Sequence, residues 1–176
     1  MSRFLVSAAI LAALLIFFSG QAPSQGLDNG SLARLFVRAQ EQTGVPSGLL
    51  AAIAIQESSF NPWSLNLAGQ GKYPTSFRAA LWCVEQFDAR SFDIGLMQIN
   101  SAWLERFDVG VEQAIKPGMN VLLGSLILRD CLNRHGLVGG VACYHSGRPE
   151  GVDGIRYARK VLRNWKMLET GVARVE

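Results

Sequence analysis

Residues 48–57 read GLLAAIAIQE, an apolar run that ends in a carboxylate. Pro46 can occupy the first position of a helix here, because its φ is fixed and that position needs no N–H donor. In such a helix Leu50, Ile53 and Ala54 share the face of Glu57. Burial on an apolar face raises the pKa of a carboxyl group, and a protonated carboxyl is what a general acid requires. The stretch therefore predicts a helix carrying a candidate catalytic acid, although a helix-end glutamate that reaches solvent or pairs with an arginine fits the same residues.

Capping and turn residues divide the rest of the chain into further helices. These predicted helices run from Ser31 to Gly44, from Thr75 or Ser76 to about Phe87, from Pro117 to Gly136, from about Val138 to Tyr144 and from about Ile155 to Leu168. Residues 66–73 predict an exposed loop, and residues 93–100 predict an ordered loop or a short extended piece. No long alternating strand is present in the sequence. We therefore predict a single compact, mainly α domain with at most a small β-hairpin.

The first residues have the pattern of an export signal. One basic residue, Arg3, precedes an uncharged apolar run over residues 4–18 and then a small, polar stretch. The run is shorter than the roughly 20 residues of a spanning helix, so we predict a signal peptide over residues 1–22 that is removed on export to the periplasm. Pro23 directly after Ala22 is unfavourable for cleavage. An uncleaved form that stays tethered to the inner membrane is therefore the alternative. We expect no contact with a membrane other than through this uncleaved segment.

The remainder of the chain has the size of one domain. About 150 residues follow the export signal, which is enough for one hydrophobic core. We place the domain at residues 31–168 and a C-terminal tail at residues 169–176. The formal net charge is +3, with basic and acidic residues intermixed, so the sequence lacks the basic patch of a nucleic-acid-binding protein. A slightly basic exported protein is compatible with an anionic envelope polymer as its partner.

Three cysteines in an exported chain indicate one disulfide and one leftover thiol, and three pairings are conceivable. Cys131 and Cys143 form the favoured pair, because they lie on consecutive predicted helices joined by a short turn, while Cys83 lies in a separate segment. A zinc site built from these two cysteines with His135 and His145 is the alternative. Export favours oxidation and no C-x-x-C spacing is present, so we expect a disulfide and no metal.

Four short motifs follow one another along the chain. Residues 57–62 read ESSFNP, residues 95–100 read GLMQIN, residues 142–147 read ACYHSG and residues 157–162 read YARKVL. Together they resemble the ordered motifs of the soluble lytic transglycosylase (SLT) catalytic domain, over roughly residues 31–168. The long stretch between the first two motifs resembles the VirB1-like branch, which is associated with conjugation, type IV secretion and pilus systems.

The resemblance implies a lysozyme-like fold and a known reaction. The family cleaves the β-1,4 bond between N-acetylmuramic acid and N-acetylglucosamine in peptidoglycan without water and leaves a 1,6-anhydromuramic end. It implies that Glu57 is the sole catalytic acid and base, and that neither metal nor other cofactor is needed. Asp93 is the candidate second carboxylate of a lysozyme-type hydrolase, which is the main enzymatic alternative, although a role in capping or ordering the loop is favoured.

The resemblance also implies substrate-binding positions. Gln98 is expected to bond an acetamido or hydroxyl group and Met97 to contact a sugar face; an amide bonded to backbone and a core methionine are the alternatives. Tyr144 is expected to bond the Glu57 carboxyl, and His145 replaces the asparagine that is usual in the family, which adds a group that titrates between about pH 5 and 8. The remaining candidates in these motifs are Ser58, Gly95 and Asn100.

Aromatic residues offer candidate surfaces for sugar rings. Tyr73, in a glycine-rich stretch, is the best exposed candidate among Trp63, Tyr73, Trp82 and Trp103, although core packing is the default for each. The expected partners are peptidoglycan strands and subunits of a secretion, conjugation or pilus apparatus. A protein that binds peptidoglycan without cleaving it is the alternative from another functional class.

Overall fold

The computed structural model describes residues 27–87 and 91–171. Its helices are α1 (Asn29–Thr43), α2 (Ser47–Ser58), α3 (Phe77–Glu85), α4 (Ser101–Phe107), α5 (Val111–Ala114), α6 (Pro117–Ser146) and α7 (Val152–Glu169). Its strands are β1 (Leu65–Leu67), β2 (Gln70–Lys72), β3 (Phe92–Ile94) and β4 (Ile99–Asn100). The predicted signal peptide and most of the predicted tail lie outside the described residues. Within those residues, no helix combines the length and the apolar character that crossing a membrane requires.

Local capping explains where the first helices begin and end. α1 starts before Ser31, because the Asp28 carboxylate is the N-cap and accepts a hydrogen bond from the Ser31 N–H at 2.6 Å. The prediction that Ser31 is the cap is therefore wrong, whereas Gly44 ends this helix as predicted. Pro46 lies one residue before α2 rather than inside it. At α3 the prediction holds, since the Ser76 hydroxyl accepts from the Ala79 N–H at 3.2 Å.

Helix α2 lies in the middle of the helical core. It packs against α1 and α7, and α6 packs against the same two helices. Leu50, Ile53 and Ala54 of α2 have no solvent exposure, as their spacing predicts. Burying a leucine or isoleucine side chain contributes about 1.5–3 kcal/mol to folding, so this apolar run anchors the domain. The packing brings the end of α2, with Glu57, close to α7.

The sheet is larger than the predicted hairpin. Its four strands are antiparallel, in the order β2-β1-β3-β4. The stretch predicted as a loop over residues 66–73 instead forms the β1–β2 hairpin, and residues 93–100 supply parts of β3 and β4. Asn66 pairs with Asp93, and Asp93 pairs with Asn100. Side chains directly opposite in adjacent strands lie on one face, so this register gathers three polar groups at one place.

Helix α6 consists of two helices that meet at Gly136. Gly136 has φ 66° and ψ −169°, which is not helical backbone, so the prediction of two consecutive helices is confirmed. A disulfide joins Cys131 on the first half to Cys143 on the second, with their Cα atoms 5.8 Å apart. The bond occupies both sulfur atoms that the zinc alternative requires. Cys83 is a free thiol.

The predicted fold class is confirmed. Helices form most of the described chain, and the strands contain only two or three residues each. One continuous hydrophobic core includes residues from α1, α2, the sheet, α6 and α7. This arrangement is a lysozyme-like, mainly α domain with a small sheet beside the helices.

Candidate active site

An open groove of about 790 Å³ runs between the sheet and helix α4 on one side and helix α6 on the other. Glu57 lies in this groove, at the end of α2. Its polar lining comes largely from the three paired sheet residues and from the end of α6. The lining includes Glu57, Asn66, Asp93, Gln98, Asn100, Trp103, Tyr144 and His145.

The Glu57 carboxyl is partly buried and holds its proton more tightly than an ordinary glutamate. Burial raises the pKa of Glu57 to about 7, because the charged form loses solvation. A hydrogen bond from Tyr157 lowers this pKa, and the negative charge of Asp93 raises it further. A carboxyl with a pKa near neutrality can both donate and accept a proton, as acid–base catalysis requires. The predicted property of the helix-end carboxyl is thus present in the fold.

Tyr157, at the start of the fourth motif, bonds the Glu57 carboxyl. Its hydroxyl donates to Glu57 Oε1 at 2.5 Å. Burial raises the pKa of Tyr157 well above its usual value, so the hydroxyl keeps the proton that it donates. The motif over residues 157–162 was recognisable in the sequence, but no role was predicted for its tyrosine. The available signal was the place of this tyrosine at the head of the motif, in the second turn of the last helix.

Tyr144 does not make the bond that we expected of it. Its hydroxyl donates to the backbone oxygen of Met97 at 2.7 Å instead of to Glu57. Tyr144 still lines the groove, and it links helix α6 to the loop between β3 and β4. The expectation failed because the sequence offers two tyrosines near the end of the chain, and only the packing of α7 on α2 selects between them.

His145 lies at the groove edge and stacks on Tyr157. The two ring centroids are 4.1 Å apart and the ring planes differ by 4°. Partial burial of the imidazole lowers the pKa of His145, while the negative charges of Asp153 and Asp93 raise it. Contacts therefore run without a break from His145 through Tyr157 to the candidate acid, Glu57.

The second motif places Gln98 in the groove and Met97 in the core. Gln98 has φ 45°, and its side-chain amide donates to the backbone oxygens of Ser64 and Gly95 at 3.0 and 2.9 Å. Met97 has no solvent exposure, so its side chain does not reach a sugar and the core alternative applies. Gln98 lines the groove, but its amide is bonded to backbone, which is the alternative given for this residue.

Position 95 must be a glycine because the Asn120 side chain lies too close for a Cβ atom. No role was predicted for Asn120 from the sequence. Gly95 has φ 79°, and a Cβ at this position would lie 2.5 Å from the Asn120 side-chain nitrogen. Asn120 is fully buried; it donates to the backbone oxygens of Ile94 and Ala114 and accepts from the Met97 N–H at 2.8 Å. The role of Gly95 is therefore to let Asn120 hold the loop that carries Gln98.

Replacing Gly95 by alanine is expected to destabilise the protein by about 2 kcal/mol or more, since a left-handed alanine is strained and the Asn120 contact is lost. Gly110→Ala is the matched control, because Gly110 has φ −68° and open space around it. It should change the unfolding free energy by less than about 1 kcal/mol. Urea denaturation compares the two variants, and equal effects would contradict the role given to Asn120.

Ser58 is buried and lies outside the groove lining. Its hydroxyl is 3.0 Å from the Ala54 backbone oxygen and 2.9 Å from the Leu96 backbone oxygen. It thus links the end of α2 to the loop of the second motif rather than contacting a substrate. The expected substrate-binding role of Ser58 is replaced by this positioning role.

Asp93 is held by two side-chain amides. Asn66 Nδ2 donates to one carboxylate oxygen at 3.0 Å, and Asn100 Nδ2 donates to the other at 2.8 Å. The Asn100 side-chain oxygen also caps helix α4 by accepting from the Ala102 N–H. Asp93 and Asn100 both line the groove. Both oxygens of this carboxylate are thus bonded to residues of neighbouring strands. The favoured expectation was a role in capping or ordering the loop.

The four aromatic candidates lie in different environments. Trp103 lines the groove, and the Arg106 guanidinium lies 4.9 Å from its ring centroid. Tyr73 is 71% exposed and Trp82 is 62% exposed, but neither lines the groove. Trp63 is buried edge-on against Phe77. Phe107 also stacks on the Trp103 ring, with the centroids 5.8 Å apart. Trp103, not Tyr73, is therefore the one of these four candidates that lines the groove.

The raised pKa of Glu57 predicts how stability depends on pH. The folded state keeps this proton up to about pH 7, whereas an ordinary glutamate loses it near pH 4.5. Between these values the folded state binds more protons than the unfolded state, so the unfolding free energy falls as pH rises, by at most about 3 kcal/mol from this group. Glu57→Gln should remove this contribution and be more stable than the wild type at pH 8. Equal pH dependence of the two proteins in urea denaturation would contradict the burial argument.

The fold, and a groove that contains a tyrosine-bonded glutamate, define a lysozyme-like class of domain. Residues 34–164 match the family model described as the Transglycosylase SLT domain. The match covers most of the chain, and the chain belongs to this family.

Individual relatives carry names from secretion and invasion systems. The chain is 30% identical to the type IV secretion system protein virB1 of Brucella suis over 112 residues, which are 56% of this chain and 47% of that protein. The same figures hold for virB1 of Brucella melitensis. It is 28% identical to the invasion protein IagB of Salmonella typhi over 148 residues, 80% of this chain and 81% of that protein. The chain thus spans about half the length of the virB1 proteins that it matches.

Proposed function

We propose that this protein is a lytic transglycosylase that cleaves the β-1,4 bond between N-acetylmuramic acid and N-acetylglucosamine in peptidoglycan. The observation that carries the proposal is the Glu57 carboxyl, with a pKa raised to about 7, in an open groove and bonded by Tyr157. Membership of the Transglycosylase SLT domain family supports the same reaction. The product carries a 1,6-anhydromuramic end.

One carboxyl suffices for both proton transfers. Protonated Glu57 donates to the glycosidic oxygen as the bond to C1 breaks, and the bonding electrons leave on that oxygen. The C6 hydroxyl of the muramic sugar then attacks C1, and its proton passes to the Glu57 carboxylate. The carboxyl is restored, and no water enters the product. The substrate's own N-acetyl group stabilises the positive charge that develops at C1 in the oxocarbenium-like state, so a second protein carboxylate is not needed.

The groove supports a substrate rich in amide and hydroxyl groups. Gln98 and Asn100 supply side-chain amides along the sheet side, and Trp103 supplies an aromatic face. Carbohydrate sites combine these two kinds of contact, because sugars present both hydroxyl edges and apolar ring faces. The N–H groups of both amides already donate to protein oxygens, so we place an acetamido N–H of the glycan at the Gln98 side-chain oxygen and one sugar ring beside Trp103.

The proposed setting is the periplasm, where the enzyme opens the wall locally for a secretion, conjugation or pilus apparatus. The names of the virB1 and IagB relatives support this setting. The disulfide between Cys131 and Cys143 supports an oxidising compartment. The export signal proposed at residues 1–22 accounts for delivery there.

The test of the reaction is mass spectrometry of soluble fragments released from purified peptidoglycan. The wild-type protein should release fragments with anhydromuramic ends, which are lighter by one water than the corresponding reducing ends. Fragments with reducing ends from the same protein would replace this proposal with a hydrolase. A folded protein that binds the glycan and releases nothing would favour a binding function.

Asp93 is the observation that favours a lysozyme-type hydrolase as second candidate. It lines the groove, and its charge acts on Glu57. Its two oxygens are already bonded by Asn66 and Asn100, which disfavours direct attack on the substrate. Asp93→Asn is therefore expected to lower the rate while leaving the fragment ends anhydromuramic. If wild-type fragments carry reducing ends and this variant releases none, Asp93 is a second catalytic carboxylate.

A further inference from the structure

The imidazole of His145 is connected to the Glu57 carboxyl through one ring. His145 lies flat on Tyr157, with the centroids 4.1 Å apart, and the Tyr157 hydroxyl donates to Glu57 Oε1 at 2.5 Å. Tyr157 has one ring face covered by this stack and its hydroxyl bonded to the carboxyl. A change in the imidazole therefore acts on the group that orients Glu57.

The charge of His145 is set by groups on several elements. Asp153 and the ring of Tyr157 face it from α7, and Asp93 acts on it from β3. Asp153 is itself paired with Arg156 at 3.0 Å, which weakens its effect on the imidazole.

The helix dipole also acts on this imidazole, because His145 lies in the last turn of α6, where a cation is favoured. Glu57, on α2, contacts Tyr157 and not the imidazole in the hydrogen bonds that the structure shows. Loss of solvation is the largest of these effects, and it keeps the pKa of His145 below the usual 6.5, so the imidazole is neutral at neutral pH.

We propose that His145 is a positioning residue for Glu57, acting through Tyr157, and that protonation of its imidazole slows glycan cleavage. This inference rests on the proposed transglycosylase function. Two physical effects of this protonation both lower the rate of cleavage. A positive imidazolium beside Tyr157 favours the ionised form of Glu57, which cannot donate a proton. It also repels the positive charge that develops on the sugar in an oxocarbenium-like transition state.

The expected rate of cleavage passes through a maximum with pH. The rate falls on the alkaline side as Glu57 loses its proton near pH 7. It falls on the acid side as His145 gains a proton below pH 6.5. An uncharged side chain at this position would carry no such charge, so the fall on the acid side is a property that the histidine adds.

The experiment measures initial rates of fragment release from purified peptidoglycan between about pH 5 and 8, at constant ionic strength. His145→Phe keeps a ring on Tyr157 without a charge. Measured relative to its own rate at pH 7.5, this variant should lose the fall in rate on the acid side. His145→Asn removes the ring, so it should be about tenfold slower throughout and also lose that fall.

The control is the other histidine of the chain. His135 lies on the first half of α6 and does not line the groove, so His135→Asn should keep the wild-type pH profile. A fall on the acid side that persists in His145→Phe, or that disappears in His135→Asn, would overturn the inference. Wild-type fragments with anhydromuramic ends would leave the proposed function standing in either case.

A second measurement does not depend on cleavage. The Tyr157 hydroxyl donates its proton to Glu57, and NMR of the folded protein can look for the signal of this hydrogen-bonded proton. We expect its signal in the wild type and in His145→Phe, and its loss or broadening in His145→Asn. An equally sharp signal in all three proteins would overturn the positioning role, even for a protein that released no fragments.

Discussion

Replacing Glu57 by glutamine is expected to reduce peptidoglycan cleavage by about 100- to 10,000-fold, because the amide can neither donate nor accept the transferred proton. The side chain keeps its size and can still accept a bond from Tyr157, so the fold and the binding of glycan should be retained. The measurement is fragment release together with a sedimentation assay for binding to insoluble peptidoglycan. Loss of cleavage with retained binding is the expected pair of results.

The matched control for this substitution is Glu41→Gln. Glu41 is an exposed glutamate on α1, away from the groove, and its replacement should leave the rate of cleavage unchanged. A Glu57→Gln variant that folds, binds and cleaves at the wild-type rate would remove Glu57 from the mechanism. A biological role that survives in this variant would favour a binding protein instead.

Replacing Tyr157 by phenylalanine is expected to slow cleavage by about 10- to 100-fold, since the carboxyl loses the hydrogen bond that orients it. Loss of the same hydrogen bond also changes the pKa of Glu57. The hydroxyl stabilises the charged form of Glu57 and so lowers its pKa; without it that pKa rises. The alkaline fall in rate should therefore move to higher pH in Tyr157→Phe. The pH profile and the maximal rate are both read from fragment release.

Tyr73→Phe serves as the control for the loss of a tyrosine hydroxyl. Tyr73 is exposed on the protein surface and does not line the groove, so this variant should resemble the wild type in rate and pH profile. A Tyr157→Phe variant whose rate falls without any shift of the alkaline side would assign Tyr157 a packing role only.

Features that depend on residues close together in the sequence could be predicted. The apolar run before Glu57, the serine cap of α3 and the break at Gly136 depend on side chains within a few residues of one another. Helix periodicity and capping chemistry act at this range, so the longer helices α1, α2, α3, α6 and α7 and the mainly α fold class followed from the sequence. The cap of α1 was missed by three residues because aspartate and serine both suit that position.

Features that depend on distant pairing were not predictable from local patterns. The sheet is built from strands of two or three residues, too short to show alternation, and its register joins Asn66 to Asp93 across 27 residues. The bond from Tyr157 to Glu57 spans 100 residues, and only the packing of α7 against α2 creates it. The role of Asn120 could not be predicted, because two of its backbone partners lie more than 20 residues away in the sequence.

The central claim is that cleavage proceeds without water. The most direct test is to digest purified peptidoglycan with the wild-type protein in water enriched in oxygen-18 and to weigh the fragment ends by mass spectrometry. The account predicts anhydromuramic ends that contain no oxygen-18, from the wild type and not from Glu57→Gln. Reducing ends that each carry one oxygen-18 atom would contradict it and would identify the enzyme as a hydrolase.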